Sequence, residues 1–241
     1  MAPIGYNALP KPGATASMPG KFTPRLDILP PAQRDLWPQL SATPGEFTLY
    51  GGTAIALRLG HRSSVDFDFF ALTPFVPNIL MQTVNYLANA SVRQSAPNTL
   101  SVTVNPDQPV QLSFFGALNL GEVAAPDIAP GPEIKVASLL DLAGCKVAVV
   151  PQRVELKDYL DIHALLTQAK IPLAEMLAAA IVIYGDQFNP LVSLKALAYH
   201  DDAGLAELTA NMRRDLLTAV RTVDLQHLPA LSPVRNRLER S

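Results

Sequence analysis

The sequence predicts a mixed α/β fold: a small mixed β-sheet flanked by helices, followed by an all-helical C-terminal part. Three observations predict it. Short runs between residues 47 and 115 alternate with period two, and glycine- or proline-bearing turns separate them. Past Pro126, Pro130, Gly131 and Pro132 the apolar spacing becomes helical. The chain has 241 residues, 49% hydrophobic and 17% charged, enough to bury one large core or two modest ones. The expected organisation is an N-terminal arm over residues 1–24, a sheet domain over 25–130 and a helical domain over 131–241.

Met1 to about Pro24 is rich in Pro, Gly, Ala and Ser and has little to pack, the composition of a flexible arm. Pro31 suits the first turn of a helix reaching about Leu40. Phe47 to Tyr50 reads as a short strand stopped by Gly51-Gly52, Thr53 to Leu59 as a short helix, and Val65 to Phe70 as a second strand. Asn78 to Leu87 has amphipathic helical spacing. Leu100, Val102 and Val104 alternate in one run, and Val110, Leu112 and Phe114 in the next. The turn chemistry of Asn105-Pro106-Asp107-Gln108-Pro109 joins the two as a hairpin. Ser138-Leu139-Leu140-Asp141 reads as a capping box opening a helix through Val149. Further helices are expected near Leu156–Thr167, Pro172–Tyr184, Pro190–Tyr199 and Asn211–Val220.

Composition narrows the function classes. Cys145 is the single cysteine, so no disulfide forms within the chain, and a small buried helical residue is the expected role. A formal net charge of −2 does not describe a surface coated for nucleic acid, although it leaves room for a local basic patch. No apolar run reaches the length of about 20 residues that a membrane span needs; the longest, Leu173 to Tyr184, is interrupted by Glu175. The first residues lack a charged start followed by an apolar stretch. A soluble cytoplasmic protein without membrane contact is expected.

The chemistry concentrates in Val65-Asp66-Phe67-Asp68-Phe69-Phe70. On a strand, Asp66 and Asp68 share one face while Val65, Phe67 and Phe69 share the other. Two carboxylates about 7 Å apart along a strand repel each other and are costly to bury without a cation. A Mg²⁺ ion shared with substrate phosphates answers that need. Taken alone, the pattern is better read as two solvent-facing aspartates. Gly51-Gly52-Thr53 shifts the reading, because it follows a strand and opens a helix. Exposed N–H groups there form a phosphate site, and Thr53 adds a hydroxyl or a cap. Between Gly52 and Asp66 there is room for a short helix, a turn and a return strand, which brings the glycines beside the carboxylates. Arg62 sits in that return turn and neutralises phosphate charge unless it is simply solvated. His61 reads as a turn or packing residue.

Leu49-Tyr50-Gly51-Gly52-Thr53-Ala54 and Gly60-His61-Arg62-Ser63-Ser64-Val65-Asp66-Phe67-Asp68-Phe69-Phe70 closely resemble the first motif of the AbiEii/AbiGii-type toxin nucleotidyltransferases. That family belongs to the DNA polymerase β-like nucleotidyltransferase superfamily. Ser138 to Lys146 resembles the family's lysine-bearing helix, and Arg153, Lys157 and Asp158 its arginine and Lys-Asp motif. Leu194 to Ala203 resembles a late segment of one branch, so the likeness spans roughly residues 47 to 203. The resemblance implies a nucleotidyltransferase domain, a helical C-terminal domain and a cleft between them. It implies NTP as substrate, Mg²⁺ or Mn²⁺ on Asp66 and Asp68, and phosphates on Gly51, Gly52, Thr53, Arg62 and Lys146. Asp158 becomes a further catalytic or structural acid. An RNA or tRNA acceptor and a cognate antitoxin are implied partners. Lys146 stands among Leu142, Val147, Ala148 and Val149, where a lysine either needs a partner such as phosphate or snorkels to solvent. Asp161 is expected to pair with Lys157 at i,i+4, a structural role.

One departure from the superfamily pattern stands out. The third carboxylate usual on a neighbouring strand is absent, since Gln111 and Ser113 hold the polar positions of Val110 to Phe115. The main expectation is transfer of a nucleoside monophosphate from NTP to an acceptor hydroxyl. The rivals are a nucleotide-binding regulatory module without transfer, and a non-catalytic interaction protein that keeps the fold.

Overall fold

The protein is described here over residues 20–237 of a computed structural model, so most of the arm expected over 1–24 lies outside the described residues. The chain opens with α1 (Pro31–Leu36), which starts on Pro31 as expected and tightens into a 3-10 turn over Trp37–Ala42. Then come β1 (Thr48–Tyr50), α2 (Gly51–Leu59), β2 (Asp66–Phe70) and α3 (Pro77–Thr83), followed by β3 (Ser91–Ala96), β4 (Thr99–Val104) and β5 (Val110–Phe115). Two short strands, β6 (Asp127–Ala129) and β7 (Ile134–Val136), precede the helices α4 (Leu139–Val149), α5 (Leu156–Thr167), α6 (Leu173–Tyr184), α7 (Pro190–Ala198) and α8 (Ala210–Thr222).

The seven strands form one mixed sheet in the order β3-β4-β5-β2-β1-β7-β6. β2 lies antiparallel to β1 and parallel to β5, and β1 lies parallel to β7. The β2 alternation dictates which face is buried. Phe67 and Phe69 are fully buried, together with Leu49 on β1, Leu112 and Phe114 on β5, and Leu100 on β4. Phe69 stacks on Phe114 with ring centroids 5.2 Å apart, and Phe47 meets Phe114 edge-on at 5.3 Å. The opposite face carries Asp66, Asp68 and Phe70. In register beside Asp68 stand Tyr50 on one side and Ser113 on the other.

Three elements depart from the sequence reading. β3 was not expected, because all six of its residues are exposed and their side chains show no apolar alternation. It is an edge strand held by its backbone pairing to β4. The stretch read as a boundary between Pro126 and Pro132 holds β6 and the turn of the β6–β7 hairpin, with Gly131 at positive φ. The division expected after residue 130 therefore falls inside that hairpin, and helices take over from Leu139. The helix expected to reach Leu87 stops at Thr83 and resumes as a 3-10 turn over Asn85–Leu87.

α4 begins as its capping box predicts. The Ser138 hydroxyl accepts from the Asp141 backbone N–H at 3.0 Å. The Asp141 carboxylate accepts from the backbone N–H groups of Val123 and Ala124, at 2.8 and 3.0 Å, and so pins the β5–β6 loop to the start of α4. Among the described residues no helix is long and apolar enough to cross a membrane.

Candidate active site

The β1–α2 turn sets the floor of the site. Gly51 has φ +75°, and a Cβ there would lie 2.5 Å from Asp68 Oδ2, so only glycine lets the carboxylate stand against the turn. A Cβ on Gly52 would strike the Arg62 guanidinium. No side chain caps the start of α2, which leaves its first N–H groups for a ligand. Thr53 does not offer its hydroxyl to that ligand. It is buried, within hydrogen-bond reach of the Asp66 carbonyl oxygen and, at 2.8 Å, of the Ser64 hydroxyl. Its side chain ties α2 to β2, and only its backbone faces the role expected of it.

Asp66 and Asp68 are half-buried, side by side on β2. Burial raises the Asp68 carboxyl above its ordinary range, and the charge of Asp66 raises it further; Lys146, Lys157 and Arg153 offset only part of this. The two acids thus repel each other at the mouth of a cleft of about 240 Å³, whose other walls carry Arg62, Lys146, Arg153 and Lys157. Among the described residues no cluster of three or more His, Cys, Asp or Glu makes a metal site by itself. Two carboxylates that want a counter-charge, in a cleft able to admit phosphates, still fit Mg²⁺, which commonly takes one or two protein carboxylates and completes its shell from the nucleotide.

The helical side supplies a hub that sequence reasoning undervalued. Asp161 on α5 is fully buried. Its Oδ1 accepts from His61 Nε2 and Arg62 Nε, each at 2.6 Å, and its Oδ2 accepts from Arg62 Nη2 and Lys146 Nζ, both at 2.9 Å. Burial alone would raise this carboxyl, but the bonds from His61 and Arg62 and the charge of Lys146 hold it far below the usual carboxylate range. The expected Lys157–Asp161 pair does not form; Lys157 pairs with Glu155 at 3.0 Å instead. Asp158, one turn away, is fully buried too. It accepts from Lys146 Nζ at 2.8 Å and from Arg153 Nε at 2.9 Å, so both its oxygens are engaged by cations and neither is free to take a proton from an acceptor. Burial works to lower the Lys146 ammonium, yet Asp161 and Asp158 more than offset it and keep the group charged. The sequence held one signal for this hub, two aspartates at i,i+3 among apolar helix positions; their pairing with His61 and Arg62 comes from the tertiary fold.

Gln111 and Ser113 flank Asp66 and Asp68 in register, where the third acid was sought, and supply no carboxylate. Beyond Asp68 the cleft opens into a second hollow of about 160 Å³ between the sheet and α4 and α6. Cys145 borders it, its thiol pushed up to about 12 chiefly by burial.

Comparison with known proteins follows the same lines. A family model described as nucleotidyl transferase AbiEii toxin, type IV TA system, matches residues 36–232. An uncharacterized protein of Aquifex aeolicus (strain VF5), aq_aa25, is 29% identical over 167 residues, 66% of this chain and 75% of that protein. A crystal structure of a nucleotidyltransferase candidate from H. pylori superposes with a TM-score of 0.52 at 17% identity, over 78% of this chain and 90% of that one. The nucleotidyltransferase toxin MenT4 from Mycobacterium tuberculosis H37Rv superposes with a TM-score of 0.51 at 16% identity, over 83% and 84%. At such identities the two structures speak for a shared fold.

Proposed function

The chain belongs to the AbiEii nucleotidyltransferase toxin family, and from that premise we propose that it moves a nucleoside monophosphate from NTP to an acceptor hydroxyl. The observation that carries this reading is the convergence, in one cleft, of two unneutralised carboxylates, an uncapped helix start and four cations. Gly51, Gly52 and the Thr53 backbone receive the β- and γ-phosphates on the first turn of α2. Arg62 and Lys146, already aimed by Asp161, neutralise them, with Arg153 and Lys157 at the rim. Asp66 and Asp68 would hold a nucleotide-borne Mg²⁺ or Mn²⁺, whose charge would offset that gathering on the reacting phosphate. The acceptor oxygen bonds to the α-phosphorus, and the bond from that phosphorus to the α–β bridging oxygen breaks. Pyrophosphate carries off the electron pair, and the acceptor's proton leaves to solvent on the open β5 side. Asp158 acts as a holder of Lys146 and Arg153. The rate enhancement comes from positioning and charge.

The family description speaks of a toxin–antitoxin system, which supports an antitoxin partner and an acceptor whose modification harms the host. RNA, tRNA in particular, is the acceptor we favour; the rim cations Arg153 and Lys157 suit its phosphates. The absent third carboxylate favours a second reading, a module that binds nucleotide without transferring it. One assay separates the two. Protein, Mg²⁺, each α-labelled NTP and bulk RNA are incubated with wild type and with the Asp66→Ala/Asp68→Ala double variant. Label on RNA from wild type alone is expected. Mg-NTP binding without transfer would hand the case to the regulatory reading.

A further inference from the structure

The hollow beyond Asp68 has no role in the chemistry above. Asp68, Gly51, Lys146 and Arg153 border both it and the charged cleft and form its charged mouth, so a phosphate seated at Asp68 has this slot directly beside it. The slot is mostly apolar. Tyr50 and Phe70 form one wall, stacked at 4.7 Å with 14° between their planes, while Leu142, Cys145 and Val149 on α4 and Tyr184 on α6 form the others. Its polar atoms away from the mouth are two phenol hydroxyls and one thiol. Burial pushes all three groups up from their ordinary ranges, so they stay neutral. The other way out from Asp68 crosses β5, where Gln111 is exposed and Ser113 meets Ser101 at 3.2 Å. That side is open and polar.

A nucleotide whose triphosphate lies on α2 must send its nucleoside one way and receive the acceptor from the other. A heteroaromatic ring gains most from the enclosed aromatic side, and a hydroxyl on a large acceptor needs the open one. We propose that the Tyr50–Phe70 slot takes the nucleoside of the NTP and holds its base by ring contact rather than by reading its hydrogen-bonding edge. This rests on the transferase reading above and adds the part of the substrate that the phosphate site does not see. Strong rejection of a wrong base needs buried polar groups left unpaired by it, and beyond its charged mouth the slot offers only three neutral ones, so selectivity among bases is weak.

The test compares binding of the four NTPs with that of inorganic tripolyphosphate, by calorimetry in excess Mg²⁺ without acceptor. Wild type is expected to bind each NTP about tenfold or more tighter than tripolyphosphate, as aromatic stacking of a base allows, and the four NTPs within about tenfold of one another. Val149→Phe fills the slot and should erase the advantage of NTP while tripolyphosphate binds as before. Phe70→Leu, which keeps apolar volume but removes the ring, should reduce it. Equal affinity of wild type for NTP and tripolyphosphate overturns the slot and leaves the phosphate site standing, as does an unchanged ratio in both variants. A spread above about a hundredfold among the four NTPs overturns ring contact as the means of holding the base. If wild type binds neither ligand, the transferase reading falls and takes the slot with it.

Discussion

Asp161 shows how much one side chain carries. It faces His61, Arg62 and Lys146 at once, and it is fully buried. Asp161→Ala is expected to cost about 3–5 kcal/mol, because three polar partners lose the anion that justified their burial; chemical denaturation measures it. The same depression has a pH signature. A carboxyl held below its unfolded value, near 4, contributes stability that is fully present above that pH and is lost as pH falls from there through its lower folded value. Asp161→Asn should therefore flatten the acid limb of the stability curve, and an unchanged limb would assign acid unfolding to other carboxylates. Asp68 behaves oppositely. Its raised carboxyl is a charge the fold holds reluctantly at neutral pH. Asp68→Asn is expected to abolish transfer and to raise Tm by about 2 °C or more. Loss of activity with a lower Tm would mean that Asp68 also holds the structure together.

At the scale of elements, the parts legible in the sequence were those whose side chains alternate or cap. The β2 pattern announced both a buried Phe67–Phe69 face and an acidic one, and Ser138-x-x-Asp141 announced the start of α4. Phe69→Ala should cost about 3–5 kcal/mol, read from the same denaturation series. β3 and the β6–β7 hairpin were not legible, since an exposed edge strand and three-residue strands have no side-chain period long enough to detect. The site was half legible for a similar reason. Glycines and aspartates close in sequence declared themselves, whereas His61 and Asp161 meet across 100 residues and only the tertiary fold pairs them. Gln111 and Ser113 were placed correctly beside the acids, which makes the missing carboxylate testable. Ser113→Asp is expected to raise kcat about tenfold or more if loss of the acceptor's proton limits the rate; a fall in kcat would place the slow step elsewhere.

For the molecule as a whole, the cleft takes its acids and helix start from residues 51–68 and its remaining cations from residues 146–157. A nucleotide bound there would touch both parts and stabilise the entire fold. Saturating Mg-NTP, at about a hundred times Kd, should add about 2.7 kcal/mol and raise Tm by about 5–10 °C, seen in a thermal scan. Asp66→Ala/Asp68→Ala should lose most of that rise. Cys145 carries a consequence of another kind. Peroxide and disulfides attack the thiolate, and a thiol pushed up to about 12 is almost wholly protonated in a cell. The chain has no other cysteine. Peroxide at a dose that oxidises ordinary exposed thiols is therefore expected to leave Cys145 largely reduced, as thiol titration after treatment would read.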